Sequence, residues 1–114
     1  MKGKPGRHVP AFVLLTLSKG PAYGLQILKI LKAEMPYCIL DTAAIYRALN
    51  SLEETGFIVC QENIEESGVP KKMYSITPEG KEELTSFYRD IKKRIENLNY
   101  FIDRYESDME GEDE

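Results

Sequence analysis

Hydrophobic positions in this chain follow a helical period up to residue 56, alternate with polar ones to residue 77, and return to a helical period beyond it. Val9, Phe12, Val13, Leu15 and Leu17 predict a short, heavily buried helix, ended by Lys19-Gly20-Pro21. A second helix is expected from about Ala22 to Met35, with Leu25, Leu28 and Leu31 on one stripe, Lys29 and Lys32 on another, and Pro36 as its stop. Asp41 is placed as the N-cap of a third helix, Thr42 to Thr55, with Gly56 closing it at C′. At about 100° per residue, Ile45, Ala48, Leu49 and Leu52 gather on one face of it, and Ala43, Tyr46, Arg47, Asn50 and Glu54 on the other. One half of this helix belongs to a core; the other half is free for a partner.

Residues 57–63 and 72–77 are short runs rich in β-branched and aromatic residues, separated by a polar segment with Gly68 and Pro70. They predict a two-stranded hairpin. Thr77-Pro78 supplies N-cap and N1 for a fourth helix, from about Pro78 to Tyr105. Along it Leu84, Tyr88, Ile91, Ile95, Leu98, Ile102 and Tyr105 recur at alternating spacings of four and three, an unbroken heptad seam. A seam this long exceeds what a domain of this size can cover by itself, so it predicts a homodimer interface. Phe87, Tyr100 and Phe101 widen the apolar stripe. The expected class is mainly α with a small β-hairpin: a winged helix-turn-helix followed by one long C-terminal helix. The expected division is a winged-helix domain over 1–77 with a basic N-terminal arm, a dimerisation helix over 78–107 and a disordered acidic tail over 108–114.

Composition adds limits. A chain of 114 residues with 42% hydrophobic and 30% charged residues is one domain's worth of globular protein. No apolar run approaches the roughly 20 residues that a membrane span requires, and no secretory signal is visible, so a cytoplasmic location is the expectation. The net charge of −4 would argue against nucleic acid, but it is an average. Residues 1–50 hold seven basic and two acidic residues, net +5, whereas 51–114 hold eight and seventeen, net −9. The polarity would orient the molecule on an anionic partner and keep its acidic end away.

Three stretches have a familiar form. Gly20-Pro21-Ala22-Tyr23-Gly24, the run Ala44-Ile45-Tyr46-Arg47-Ala48-Leu49-Asn50-Ser51-Leu52-Glu53-Glu54-Thr55-Gly56-Phe57-Ile58, and Gly68-Val69-Pro70-Lys71-Lys72-Met73-Tyr74-Ser75-Ile76-Thr77-Pro78-Glu79-Gly80 together resemble the PadR family of bacterial and archaeal transcriptional regulators. The likeness covers roughly residues 9–105, and a single helix after the wing is similar to the small subfamily. Two positions depart from the pattern: Arg47 stands where a proline usually follows the tyrosine, and the wing reads Lys72-Met73-Tyr74 in place of Arg or Lys-Tyr-Tyr.

DNA binding requires cations and donors against phosphates and a few side chains that reach base edges. Arg47 suits guanine and Asn50 adenine, the Ala43 methyl suits a thymine methyl, and Thr42 offers a hydroxyl and a backbone N–H to phosphate. Tyr46 shares that face. Lys71 and Lys72 follow the rigid Gly68/Pro70 tip and would meet the backbone; Lys2, Lys4, Arg7 and His8 form the arm that could track it. The blander alternative for each is a solvated surface residue. The resemblance implies a phosphate contact by Tyr23 through its hydroxyl and the helix N-terminus, against which stands a core role for its ring. It also implies dimers built by the C-terminal helix on the partner's N-terminal helix, presenting a pseudo-palindromic double-stranded operator, and release by a small hydrophobic or aromatic effector. Phe12, Phe87, Tyr88, Tyr100 and Phe101 could line a pocket for such an effector.

Enzymatic readings have little support. One histidine, no paired Cys/His spacing and serines without a histidine partner leave no catalytic set, no metal site and no cofactor motif. Cys38 and Cys60 read as small buried hydrophobes rather than a redox pair. The expected function is therefore a sequence-specific, homodimeric DNA-binding repressor, and its rival is a winged-helix protein-interaction module that does not bind DNA, which the acidic C-terminal half favours.

Overall fold

The computed structural model describes residues 8–38, 40–64, 68 and 70–112, the side chains of residues 64, 70 and 112 excepted. Along the chain run α1 (Val9–Leu17), β1 (Ala22–Tyr23), α2 (Gly24–Glu34), α3 (Thr42–Glu54), β2 (Ile58–Ile64), β3 (Pro70–Ile76) and α4 (Pro78–Glu112). The chain divides into two compact units, residues 1–84 and 85–114. The division falls inside α4, after Leu84, rather than at that helix's first residue.

In the first unit the helices converge on one core. Val13, Leu14 and Leu17 of α1, Ile27 of α2, Ile45 and Leu49 of α3 and Ile58 of β2 are its fully buried side chains. α1 is apolar nearly all round and starts with Pro10 in its first turn, where a missing N–H costs no hydrogen bond. On α3 the expected core face of Ile45, Ala48, Leu49 and Leu52 is buried. Asp41 Oδ1 accepts from the Ala44 N–H at 2.8 Å, and Gly56 follows the C-cap residue Thr55 with φ +82°, the left-handed turn that glycine takes most easily. Thr77 joins the hairpin to α4: its hydroxyl accepts the Gly80 N–H at 3.0 Å and donates to the Gly56 carbonyl at 2.8 Å.

Three details correct the sequence expectation. Ala22 and Tyr23 do not open the second helix but form β1, an antiparallel edge partner of β3, so the hairpin is part of a three-stranded sheet of order β1-β3-β2. Two residues carry no alternation to read; pairing with β3 (Ala22 opposite Tyr74, Tyr23 opposite Met73) makes them a strand. On α2 the buried stripe is Gly24, Ile27, Leu28 and Leu31, while Leu25 is 58% exposed. Finally, α4 runs to Glu112, so residues 108–112 of the expected disordered tail are helical. Once a helix is nucleated, each further residue adds a hydrogen bond at little cost, and Arg104 Nε donates to Asp108 Oδ1 at 3.2 Å across the first turn of the acidic run.

The second unit is the body of α4. Tyr88, Ile95, Leu98, Ile102 and Tyr105 of the heptad seam are each about half exposed or more, as are Tyr100 and Phe101. Met109 continues the seam by one further step of four. Among the described residues no helix is long and apolar enough to cross a membrane.

Candidate nucleic-acid interface

α3 presents Thr42, Ala43, Tyr46, Arg47 and Asn50 on its exposed side. This follows from its buried stripe, because residues one or two positions away from Ile45, Ala48 and Leu49 turn outward. Beside α3 the structure opens a cleft of about 600 Å³ lined by Tyr23, Gly24, Leu25, Gln26, Lys29, Tyr46, Lys71, Lys72 and Tyr74. Four expected site residues from three elements therefore meet: Tyr23 from β1, Tyr46 from α3, and Lys71 and Lys72 from β3. Three ammonium groups and no carboxylate line it among the described residues.

Local order in the cleft has identifiable causes. Tyr23 pairs with Met73, and Lys71, two residues earlier on β3, lies diagonally across the same sheet face. Its Nζ sits 5.3 Å from the centroid of the Tyr23 ring, a cation–π distance. The Tyr23 N–H donates to Gln26 Oε1 at 2.9 Å, which fixes the first turn of α2 at the cleft edge. Tyr74, 2% exposed, backs the cleft, and burial pushes its phenol above the ordinary value of 10.0, so the hydroxyl stays protonated. The carboxylate of Glu53 adds to the shift after burial and the neighbouring Cys60.

Arg47 faces another way. It lines a smaller groove of about 210 Å³ with Val9, Pro10, Ala44, Ala48 and Ser51, against the first turn of α1. Thr42, Ala43 and Asn50 line neither hollow. Lys2, Lys4 and Arg7 lie outside the described residues. Sequence reading missed Lys29, Gln26 and Gly24 as parts of the site; the available signal was that Lys29 lies on the polar stripe of the helix that Tyr23 precedes.

Among the seam residues, Leu84 and Ile91 are half-buried and the rest exposed. Of the aromatic set, Phe12 is a half-buried residue of α1 in the first unit, whereas Phe87, Tyr88, Tyr100 and Phe101 are on α4 in the second. Cys38 and Cys60 are both free thiols. Cys60, opposite Tyr74 in the sheet, has its thiol pushed up from 9.0, chiefly by burial and then by Glu53.

The family model for the transcriptional regulator PadR-like family matches residues 13–86. The chain belongs to that family. Its solved relatives include a PadR family transcription regulator from hypervirulent Clostridium difficile, 25% identical over 83% of this chain and 98% of that one, with a TM-score of 0.70. Bacillus subtilis PadR, solved in complex with operator DNA, is 31% identical over 72% of this chain, with a TM-score of 0.68, and this chain spans only 47% of its length. TM0937, a conserved protein described as a potential transcriptional factor, is 34% identical over 91% of this chain and 95% of that one, with a TM-score of 0.68. A search of curated proteins gives no match. The family is one of transcriptional regulators, and the winged-helix fold accords with it.

Proposed function

We propose that this protein is a sequence-specific DNA-binding repressor that acts as a cytoplasmic homodimer. The observation that carries the reading is the convergence of Tyr23, Tyr46, Lys29, Lys71 and Lys72 on one cleft beside the exposed face of α3, lined by no carboxylate among the described residues. Such a cleft suits a phosphodiester: cations neutralise it, tyrosine hydroxyls donate to it, and the N-terminus of α2 adds its dipole. α3 would enter the major groove, with Arg47, Asn50, Ala43 and Thr42 toward bases and backbone as their chemistry suggests. The Bacillus subtilis relative, bound to operator DNA, supports the same use of the fold here.

The exposed α4 seam supports dimerisation, since an apolar stripe of this length is costly to leave in water. Two α3 helices would then read a pseudo-palindromic site about 34 Å apart. A small hydrophobic or aromatic effector would act at that interface. Phe87 and Tyr88 lie about 20 Å along the helix axis from Tyr100 and Phe101, so the two pairs of one copy do not line the same small pocket. The acidic C-terminal half favours a second reading, a protein-interaction module without DNA.

The test is binding to a fragment of the upstream DNA of its own gene, followed by footprinting. Protection of a two-fold symmetric site, weakened by Arg47→Ala and by Tyr46→Ala, supports the regulator. Absence of binding at low salt supports the interaction module.

A further inference from the structure

The first residue of α2 is a glycine with no conformational reason to be one. Gly20, Gly56 and Gly68 adopt positive φ, but Gly24 does not, and glycine is a poor helix former. The reason is steric and involves one neighbour. A Cβ at Gly24 would lie 2.7 Å from Tyr46 Oη, 2.8 Å from Cζ and 2.9 Å from Cε1, and these are the three nearest atoms. The outer end of the Tyr46 ring therefore rests on bare backbone at the first turn of α2. Tyr46 is also the α3 residue that lines the lysine cleft.

We infer that Gly24 is a positioning residue for the DNA contact: by carrying no side chain, it lets Tyr46 of α3 lay its hydroxyl end into the cleft beside Lys29, Lys71 and Lys72. The inference rests on the DNA-binding reading above. It differs from an ordinary packing role in what it predicts for alanine. The obstructing atoms are the far end of a side chain that is 36% exposed, so the ring can swing outward and the fold need not move. The lesion falls on the position of a contact group and leaves every cation in place.

The experiment measures DNA affinity across a salt series for wild type, Gly24→Ala, Tyr46→Ala and the double variant, with a thermal melt of each. Gly24→Ala should weaken binding about tenfold with the salt slope unchanged, because no phosphate-neutralising charge is lost. Its melting temperature should stay within a few degrees of wild type. In the Tyr46→Ala background the same substitution should change affinity by less than about twofold, the non-additivity expected of two residues acting through one contact. Wild-type affinity for Gly24→Ala, or effects that multiply in the double variant, overturns the positioning role. If Gly24→Ala melts much lower, Tyr46→Ala must restore it; failure to do so shows that the added methyl acts elsewhere and also overturns the inference. A wild-type protein that binds no DNA overturns the DNA-binding reading instead, while the melting comparison still tests the Gly24–Tyr46 contact.

Discussion

Gly80→Ala should destabilise the winged-helix unit although alanine is the better helix former. Gly80 is the third residue of α4, and its N–H is capped by the Thr77 hydroxyl at 3.0 Å. A Cβ there would overlap the Phe57 backbone carbonyl and stand 2.8 Å from Ile76 Cγ1. A backbone carbonyl cannot swing aside as a side chain can, and the Phe57 oxygen already accepts the Thr77 N–H at 3.0 Å. Alanine gains at most about 1 kcal/mol in helix propensity. Against it stand overpacking, typically about 1–3 kcal/mol, and a weakened cap, about 1 kcal/mol. The net expectation is a loss of about 1–3 kcal/mol, read as a lower urea midpoint at unchanged m and a fall in melting temperature of several degrees. Gly111, where an added Cβ meets nothing within 4 Å, is the matched control: Gly111→Ala should be neutral or slightly stabilising. A Gly80→Ala variant as stable as wild type would refute the steric argument.

Other expectations follow from single contacts. Asp41→Ala removes the acceptor for the Ala44 N–H and should cost about 1 kcal/mol in chemical denaturation, with Asp41→Asn recovering most of it. Cys60 should ionise at higher pH and alkylate more slowly than a free-thiol standard, because burial and then Glu53 raise its pKa; labelling as fast as the standard would contradict this. Tyr74 has a raised pKa in the fold, so the unfolded chain ionises first and stability should fall as pH rises through 10.0; Tyr74→Phe should flatten that fall. Replacing Leu98, itself 61% exposed on the seam, in Leu98→Glu should shift the protein toward monomer in light scattering with its far-UV spectrum retained; an unchanged mass would argue against an interface at this position.

The sequence made the helical elements legible where periodicity and caps agreed. α1 follows from an almost unbroken apolar run, which hides its phase, so that Leu15, expected inside, is 49% exposed while Leu14 is buried; the two faces of α3 follow from apolar spacing, and Asp41, Gly56 and Thr77 mark element ends through local chemistry. β1 was invisible because Ala22 and Tyr23 become a strand only by pairing with residues some fifty positions away. A stripe of leucines places Leu25 inward, but Gly24 and Ile27 set the phase of α2, and a glycine carries no hydrophobic signal. The acidic run from Glu106 suggested fraying by composition, whereas helix propagation and the Arg104–Asp108 contact act on the chain as a whole. The candidate site was legible residue by residue, not as a cleft: Tyr23, Tyr46 and the wing lysines have the right chemistry in sequence, but only the fold brings them together. The same holds for Gly24, whose role depends on one tyrosine across the helix pair.

Phosphate binding by the cleft is tested by the salt dependence of binding to the footprinted DNA site, compared between wild type and Lys71→Ala/Lys72→Ala. If Lys29, Lys71 and Lys72 of each copy neutralise phosphates in a dimer, log Kobs should fall against log salt with a slope of about −5, and the double variant should reduce that slope by about two-thirds. A slope near zero, or one indifferent to losing both lysines, would contradict a phosphate-binding cleft on this face.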